Sequence, residues 1–254
     1  METLARHRNP IFDRRLHTSP AVCVTIDVMH ALHLGVLLSY TRVLVWRLIR
    51  LGLWVKFSNM DDQIAASIDV IRSGLKIFIK SYNQSHPREK LTSLRFKRKT
   101  IGEPDEGPLR TKAQQTWTFL LYLLRTTGAR QSMLSDEDRQ YVNAGQKLEQ
   151  MLRLFQTSAV QMSDVEVRSA WQLYIEFCDL TEDVEELLIP KRHLLFHLFE
   201  QLPLHGNPRG YASWEDESLN RLLKNCCRGI HQTTFESSVL LRFPAVYNNF
   251  MKNR

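Results

Sequence analysis

Four groups of residues stand at spacings that could do chemistry. The first is Asp27-Val-Met-His30-Ala-Leu-His33-Leu-Gly35. An acid closing an apolar run, followed by histidines three residues apart on one helix face, can form a metal corner. The Asp27 carboxylate suits Mg²⁺, which prefers oxygen; alternatively, Asp27 only caps the helix and the histidines pack. The second is Tyr211-Ala-Ser-Trp-Glu215-Asp216-Glu217-Ser-Leu-Asn220-Arg221-Leu-Leu-Lys224. Acids in a first turn are favoured by the helix dipole, which accounts for Glu215 and Asp216. Glu217 shares a face with Asn220, Arg221 and Lys224, and that face can hold a metal beside a phosphate or form a solvated salt-bridge ladder. The third is Pro190-Lys-Arg-His193-Leu194-Leu-Phe-His197. Histidines at i, i+4 can share Zn²⁺, but Leu194 stands where a zinc metalloprotease needs Glu and no Cys-x-x-Cys completes a structural site, so a zinc site is not expected. The fourth is the basic run Arg88, Lys90, Arg95, Lys97, Arg98 and Lys99, with Phe96 inside it. Charge and a ring suit phosphate and base contact, and a solvated loop is the plain alternative. A phosphate-binding Gly-rich loop, a nucleophile elbow and a dinucleotide fingerprint are all missing from the sequence.

The elements that must position these residues are mostly helical. Val22–Asp27 is the one convincing strand pattern, β-branched and entered through Pro20. The 3.6-residue periodicity predicts helices over about Met29–Trp54, then from an Asn59 or Asp61 cap to Tyr82 with Ile64, Ile68, Ile71, Leu75 and Phe78 on one face. Residues 83–110, with three prolines and two glycines, read as a loop with at most a short strand near Leu94. Further helices are expected over Thr111–Thr127, Ser135–Thr157, Asp164–Thr181 and Lys191–Leu202, with Gly128 ending the first and Ser135 and Ser163 starting the next two. After a turn-rich 203–213, a Ser213–Asp216 capping box starts a helix at Trp214 that runs to Cys227. A last helix spans about Thr234–Lys252, kinked or split at Pro244.

Composition narrows the partners. The chain of 254 residues carries a net charge of +7, with 43% hydrophobic and 24% charged residues. That is ordinary globular usage, and the basic balance favours anionic partners, nucleic acid before an acidic membrane. Four cysteines, of which the adjacent Cys226 and Cys227 cannot easily bond to each other, make no disulfide framework and fit a reducing compartment. The charged first fifteen residues lack an apolar signal region, which points to a nuclear or cytoplasmic rather than secreted protein. The apolar stretch 31–55 is interrupted by Arg42, Arg47 and Arg50 and reads as a buried or amphipathic helix, not a membrane span.

Taken in order, Asp27-Val-Met-His30…His33-Leu-Gly35-Val, Pro190-Lys-Arg-His193…His197-Leu, Gly206-Asn-Pro-Arg209-Gly-Tyr211 and Glu215-Asp-Glu217-Ser-Leu-Asn220 resemble segments of cut-and-paste DDE transposases of the broad CACTA-like kind and of transposon-derived open reading frames. The resemblance covers residues 20–40 and 190–245, with Lys112…Trp117 as a further echo. It implies a mainly α fold with one or few short strands: a partial RNase H-like core interrupted by an all-helical insertion. By segment, 1–19 would be irregular, 20–60 the core strand and helix, 61–189 the insertion with basic loop 83–110, and 190–254 the C-terminal core helices. In such enzymes three carboxylates hold two Mg²⁺ ions, one activating the attacking oxygen and one stabilising the leaving oxygen. The resemblance makes Asp27 the second acid and Glu217 the third, with Glu215 as substitute, and places His30, His33 and Asn220 around the metal. The strand bearing the first acid has no counterpart, since Asp13 follows no strand pattern. The expectation is therefore the C-terminal part of a longer ancestor, DNA-associated, its Mg²⁺-dependent cleavage lost in this chain. Two alternatives are a non-catalytic helical module binding nucleic acid or protein through 88–99, and a metal hydrolase using His30, His33, His193 and His197.

Overall fold

The computed structural model describes residues 24–103 and 107–252, with the side chains of 215–218, 221 and 250–252 outside the description. It is mainly α. A π-helical segment, Met29–Val36, runs directly into α1 (Leu37–Leu51); α2 (Met60–Ser85), the short α3 (Arg98–Ile101), α4 (Ala113–Gly128), α5 (Asp136–Thr157), α6 (Asp164–Asp179) and α7 (Pro190–His205) follow, then α8 (Trp214–Cys227) and α9 (Phe235–Lys252). The described residues up to Tyr211 form one compact unit and those from Ala212 onwards a second, in which α8 and α9 pack together.

The first unit is built around α1. Leu32, Leu37, Tyr40, Val45, Leu48 and Ile49 are fully buried, because α2, α4, α5 and α7 cover the π segment and α1 from several sides. A helix apolar all round must find such cover. Met29–Leu51 is long and apolar enough to cross a bilayer, yet 67% of its most apolar window is buried inside the protein. The π segment, α1, α2, α4 and α5 contribute to this one core. The periodicity of α2 is realised as written: Ile64, Ile68, Ile71, Leu75 and Phe78 are its buried stripe, and the Asn59 side chain accepts from the Asp61 N–H. Ser135 and Ser163 cap α5 and α6 through reciprocal bonds with Asp138 and Glu166. The first long helix ends at Leu51 rather than Trp54, because Gly52 adopts a left-handed φ of 76°.

The expected strand is absent from residues 24–27, and the described residues contain no strand; Val22 and Cys23 lie outside them. The short strand near Leu94 is not formed either, and a single turn, α3, stands a few residues on. Propensity alone does not make a strand without a pairing edge. For residues 24–26 the missing ladder is replaced by one side chain: Gln201 of α7 accepts the Ile26 N–H through Oε1 at 3.0 Å and donates Nε2 to the Val24 carbonyl at 3.0 Å. The chain is thereby delivered to the start of the π segment. Gln201→Ala removes both bonds, which are worth about 1–2 kcal/mol together. Amide exchange at Ile26 should quicken about tenfold or more while amides in the middle of α5 keep their rates.

Two other features differ from expectation. α7 continues past Leu202 through Pro203 to His205. α9 starts at Phe235 and passes Pro244 as one helix. The Ser213–Asp216 capping box lies outside the described residues because the Asp216 side chain does.

Candidate nucleic-acid interface

Asp27 sits where the extended segment becomes helix. Its Oδ1 accepts the Met29 N–H at 3.0 Å and its Oδ2 meets Nδ1 of His30, so both oxygens serve the first turn. This is the geometry of a helix-starting Asx turn. His30 is exposed, whereas His33, one turn on, is buried at 9% exposure. Whether Asp27 shares a two-Mg²⁺ centre with Glu215 and Glu217 lies outside the described residues. Mg²⁺ wants a set of oxygens, and among the described residues no group of three or more His, Cys, Asp or Glu converges. Glu215 and Glu217 lie in the first turn of α8, in the second compact unit, and their side chains fall outside the described residues, as does the expectation that they meet Asp27. Asn220, on the same helix, is exposed.

Burial draws the His33 imidazole down to about 4, with Asp27 pulling weakly the other way. The ring is therefore neutral in the fold, while in the unfolded chain it charges near pH 6.5. Below that value the unfolded state binds a proton the native state refuses. The contribution of His33 is complete above pH 6.5 and is lost as pH falls towards 4, by roughly 3 kcal/mol. Chemical denaturation of the protein and of His33→Gln across pH 4–7 should show that slope in the first and a flatter profile in the second.

The basic run has a different architecture. Residues 86–101 leave α2 and cross the start of α4. Leu91 is tied down in both directions, its N–H donating to Asn83 Oδ1 at 2.7 Å and its carbonyl accepting from Asn83 Nδ2 at 3.1 Å. Thr92 donates to Gln114 Oε1 at 3.0 Å, Gln115 Nε2 donates to the Ser93 carbonyl at 3.1 Å, and the Arg110 N–H donates to the Thr100 carbonyl at 2.8 Å. Leu91 and Phe96 anchor it from below. Phe96 is fully buried, its ring 4.9 Å from that of Phe119, so the proposed base-stacking ring is instead a core residue. Arg98 is likewise occupied: it lies over the Trp46 ring, donates to the Gly102 carbonyl at 2.8 Å and pairs with Glu103 at 2.7 Å. Lys97 is half-buried. Arg88, Lys90, Arg95 and Lys99 are exposed, as are Arg110 and Lys112 where α4 begins, and none of these makes an ion pair with a described residue. A pinned backbone thus carries several cations that make no ion pair among the described residues, next to the N-terminus of a sixteen-residue helix whose dipole adds to their field.

Other residues that sequence reasoning passed over hold the scaffold. Arg47 on α1 pairs with the buried Asp138 at 2.6 Å and with Glu137 at 3.0 Å, over the Tyr141 ring. Burial opposes ionisation of Asp138, but bonds from Ser135 and Arg47 outweigh it and hold the carboxyl below its usual range. Gly206-Asn-Pro-Arg209 caps α5: Asn207 Nδ2 donates to the carbonyls of Phe155, Ser158 and Ala159, the Asn207 N–H to Val160, and Arg209 to Gln156. Lys191 approaches Gly35 closely and donates to the Leu34 carbonyl at 3.2 Å, so the start of α7 meets the π segment. Cys178, Cys226 and Cys227 are free thiols.

No protein-family model matches the chain, no curated protein matches it, and no solved structure matches it.

Proposed function

We propose that this chain is a non-catalytic helical module that binds nucleic acid, DNA first, through the exposed cations of residues 88–99. One observation carries the reading: Arg88, Lys90, Arg95 and Lys99 project from a backbone fixed at Asn83, Gln114 and Gln115 and have no acidic partners among the described residues. A loop kept only for solubility needs no such anchoring. Phosphates supply the missing counter-charge, and binding of this kind is governed by ion release rather than by base sequence. A nuclear or cytoplasmic location is compatible with that partner.

A second reading keeps the transposon resemblance: an inactive remnant in which Asp27, His30 and the acids of α8 once worked on DNA. It is favoured by the Asp27–His30 corner, which the sequence segments of the resemblance share. No metal-dependent step is derived from it, because the described donors do not make a Mg²⁺ site.

Binding of a labelled 20-base-pair duplex by the parent protein, Asp27→Asn and Glu217→Gln separates the two. The proposal expects equal affinity for all three and no strand cleavage in Mg²⁺ or Mn²⁺. Cleavage by the parent protein that Asp27→Asn abolishes would overturn it.

A further inference from the structure

The third sequence constellation, from which no zinc site was expected, has an unexpected geometry. His193 and His197 both lie exposed on α7, one turn apart, and their Nε2 atoms are 3.2 Å from each other. The ring planes are nearly perpendicular, at 87°. Two nitrogens bound at about 2.0–2.1 Å to one tetrahedral metal ion stand about 3.3–3.4 Å apart. The two imidazoles are thus already at chelating distance. His197 is also held from behind, its Nδ1 lying 2.8 Å from Glu200 Oε2. A carboxylate accepting the Nδ1 proton leaves the Nε2 lone pair outward, which is the arrangement carboxylates commonly impose on metal-bound histidines.

We propose that His193 and His197 form a two-point clip for a divalent transition-metal ion of the imidazole-preferring class, Zn²⁺, Ni²⁺ or Cu²⁺, with Glu200 as the positioning residue. The hydrogen bond between the rings is the state without metal: His193 donates its Nε2 proton to His197. Uptake of the ion moves that proton to His193 Nδ1 or to water, and both Nε2 lone pairs then face the metal. No third His, Cys, Asp or Glu among the described residues completes the site. The remaining coordination positions are therefore open to water or to a donor group from another molecule, as in catalytic rather than structural sites. Affinity should follow the usual order for nitrogen ligands, with Ni²⁺ and Zn²⁺ below Cu²⁺. The clip is independent of the cation surface on 88–99, so the failure of either leaves the other standing.

Calorimetric titration of the untagged full chain with ZnCl₂ and with NiCl₂ tests the proposal, the clip variants serving as the control for metal taken up by thiols. One ion per chain is expected, with His193 and His197 ring signals shifting together in nitrogen-15 spectra. His193→Gln and His197→Gln should each abolish the stoichiometric event, Glu200→Gln should weaken it about tenfold, and His86→Gln and His231→Gln, at other exposed histidines, should leave it intact. Both clip positions are at the surface, and unchanged circular dichroism confirms that the variants fold. Absence of a one-to-one event in the parent protein, or its persistence in either clip variant, would overturn the site and show the 3.2 Å contact to be a hydrogen bond only.

Discussion

Asn207→Ala is expected to melt roughly 10 °C below the parent protein. Asn207 is 4% exposed, and its amide meets three carbonyls at the C-terminal end of α5, at 2.8, 3.2 and 3.3 Å. Its Oδ1 also accepts the Arg209 N–H at 3.1 Å. Alanine leaves these groups without partners in a place water reaches poorly, and each such loss costs about 1–3 kcal/mol. Since they share one donor group, the sum is nearer 3–5 kcal/mol than the full multiple. A domain of this size shifts by about 2–4 °C per kcal/mol. Gly206→Ala should fail in the same direction, because Gly206 has a φ of 73° and an added Cβ would stand 2.4 Å from the Val160 carbonyl oxygen. Thermal unfolding followed by circular dichroism checks both, and a shift under 2 °C for Asn207→Ala would mean that the 206–209 turn is not the cap of α5.

Neutralising Arg88, Lys90, Arg95 and Lys99 together as glutamines should lower duplex-DNA affinity on the order of a thousandfold at 0.1 M salt. Each phosphate contact to B-DNA contributes about 0.9 to the slope of log affinity against log salt. If affinities converge near 1 M salt, each contact is then worth about eightfold at 0.1 M, and three to four contacts give that total. The fold should survive, because these side chains are exposed while the backbone bonds and the Leu91 and Phe96 anchors are untouched. Replacing Arg98 instead should mainly destabilise, since it stacks on Trp46 and bridges Glu103. Equal affinity of the parent and the fourfold variant, measured by fluorescence anisotropy, would place the binding surface elsewhere.

The contrast between Arg95 and Arg98 shows what the sequence could and could not carry. Helices were legible wherever the determining groups are local: Asn59, Ser135 and Ser163 cap the helices assigned to them, and the α2 stripe reads at i, i+3 and i+4. What depended on distant partners was not. Gln201 lies 175 residues from Ile26, and nothing in either segment announces that one amide side chain will stand in for a neighbouring strand. Phe96 sits in a charged run that reads as solvent-facing, yet Phe119 draws it inside. Lys191 of α7 comes close to Gly35 on the π segment, again a long-range fact. At the candidate sites, residue types were legible and their allegiance was not: Asp27 spends its oxygens on a helix start, while His193 and His197, discounted for lack of a motif, come within chelating distance.

The most direct measurement of the central claim is the affinity of the full chain for a 20-base-pair duplex between 50 and 200 mM NaCl. A cation surface of three to four phosphate contacts predicts a straight log–log plot with a slope of about −3 to −4, independent of Mg²⁺ and of base sequence. No measurable binding at 50 mM, or binding whose slope is near zero, would contradict it.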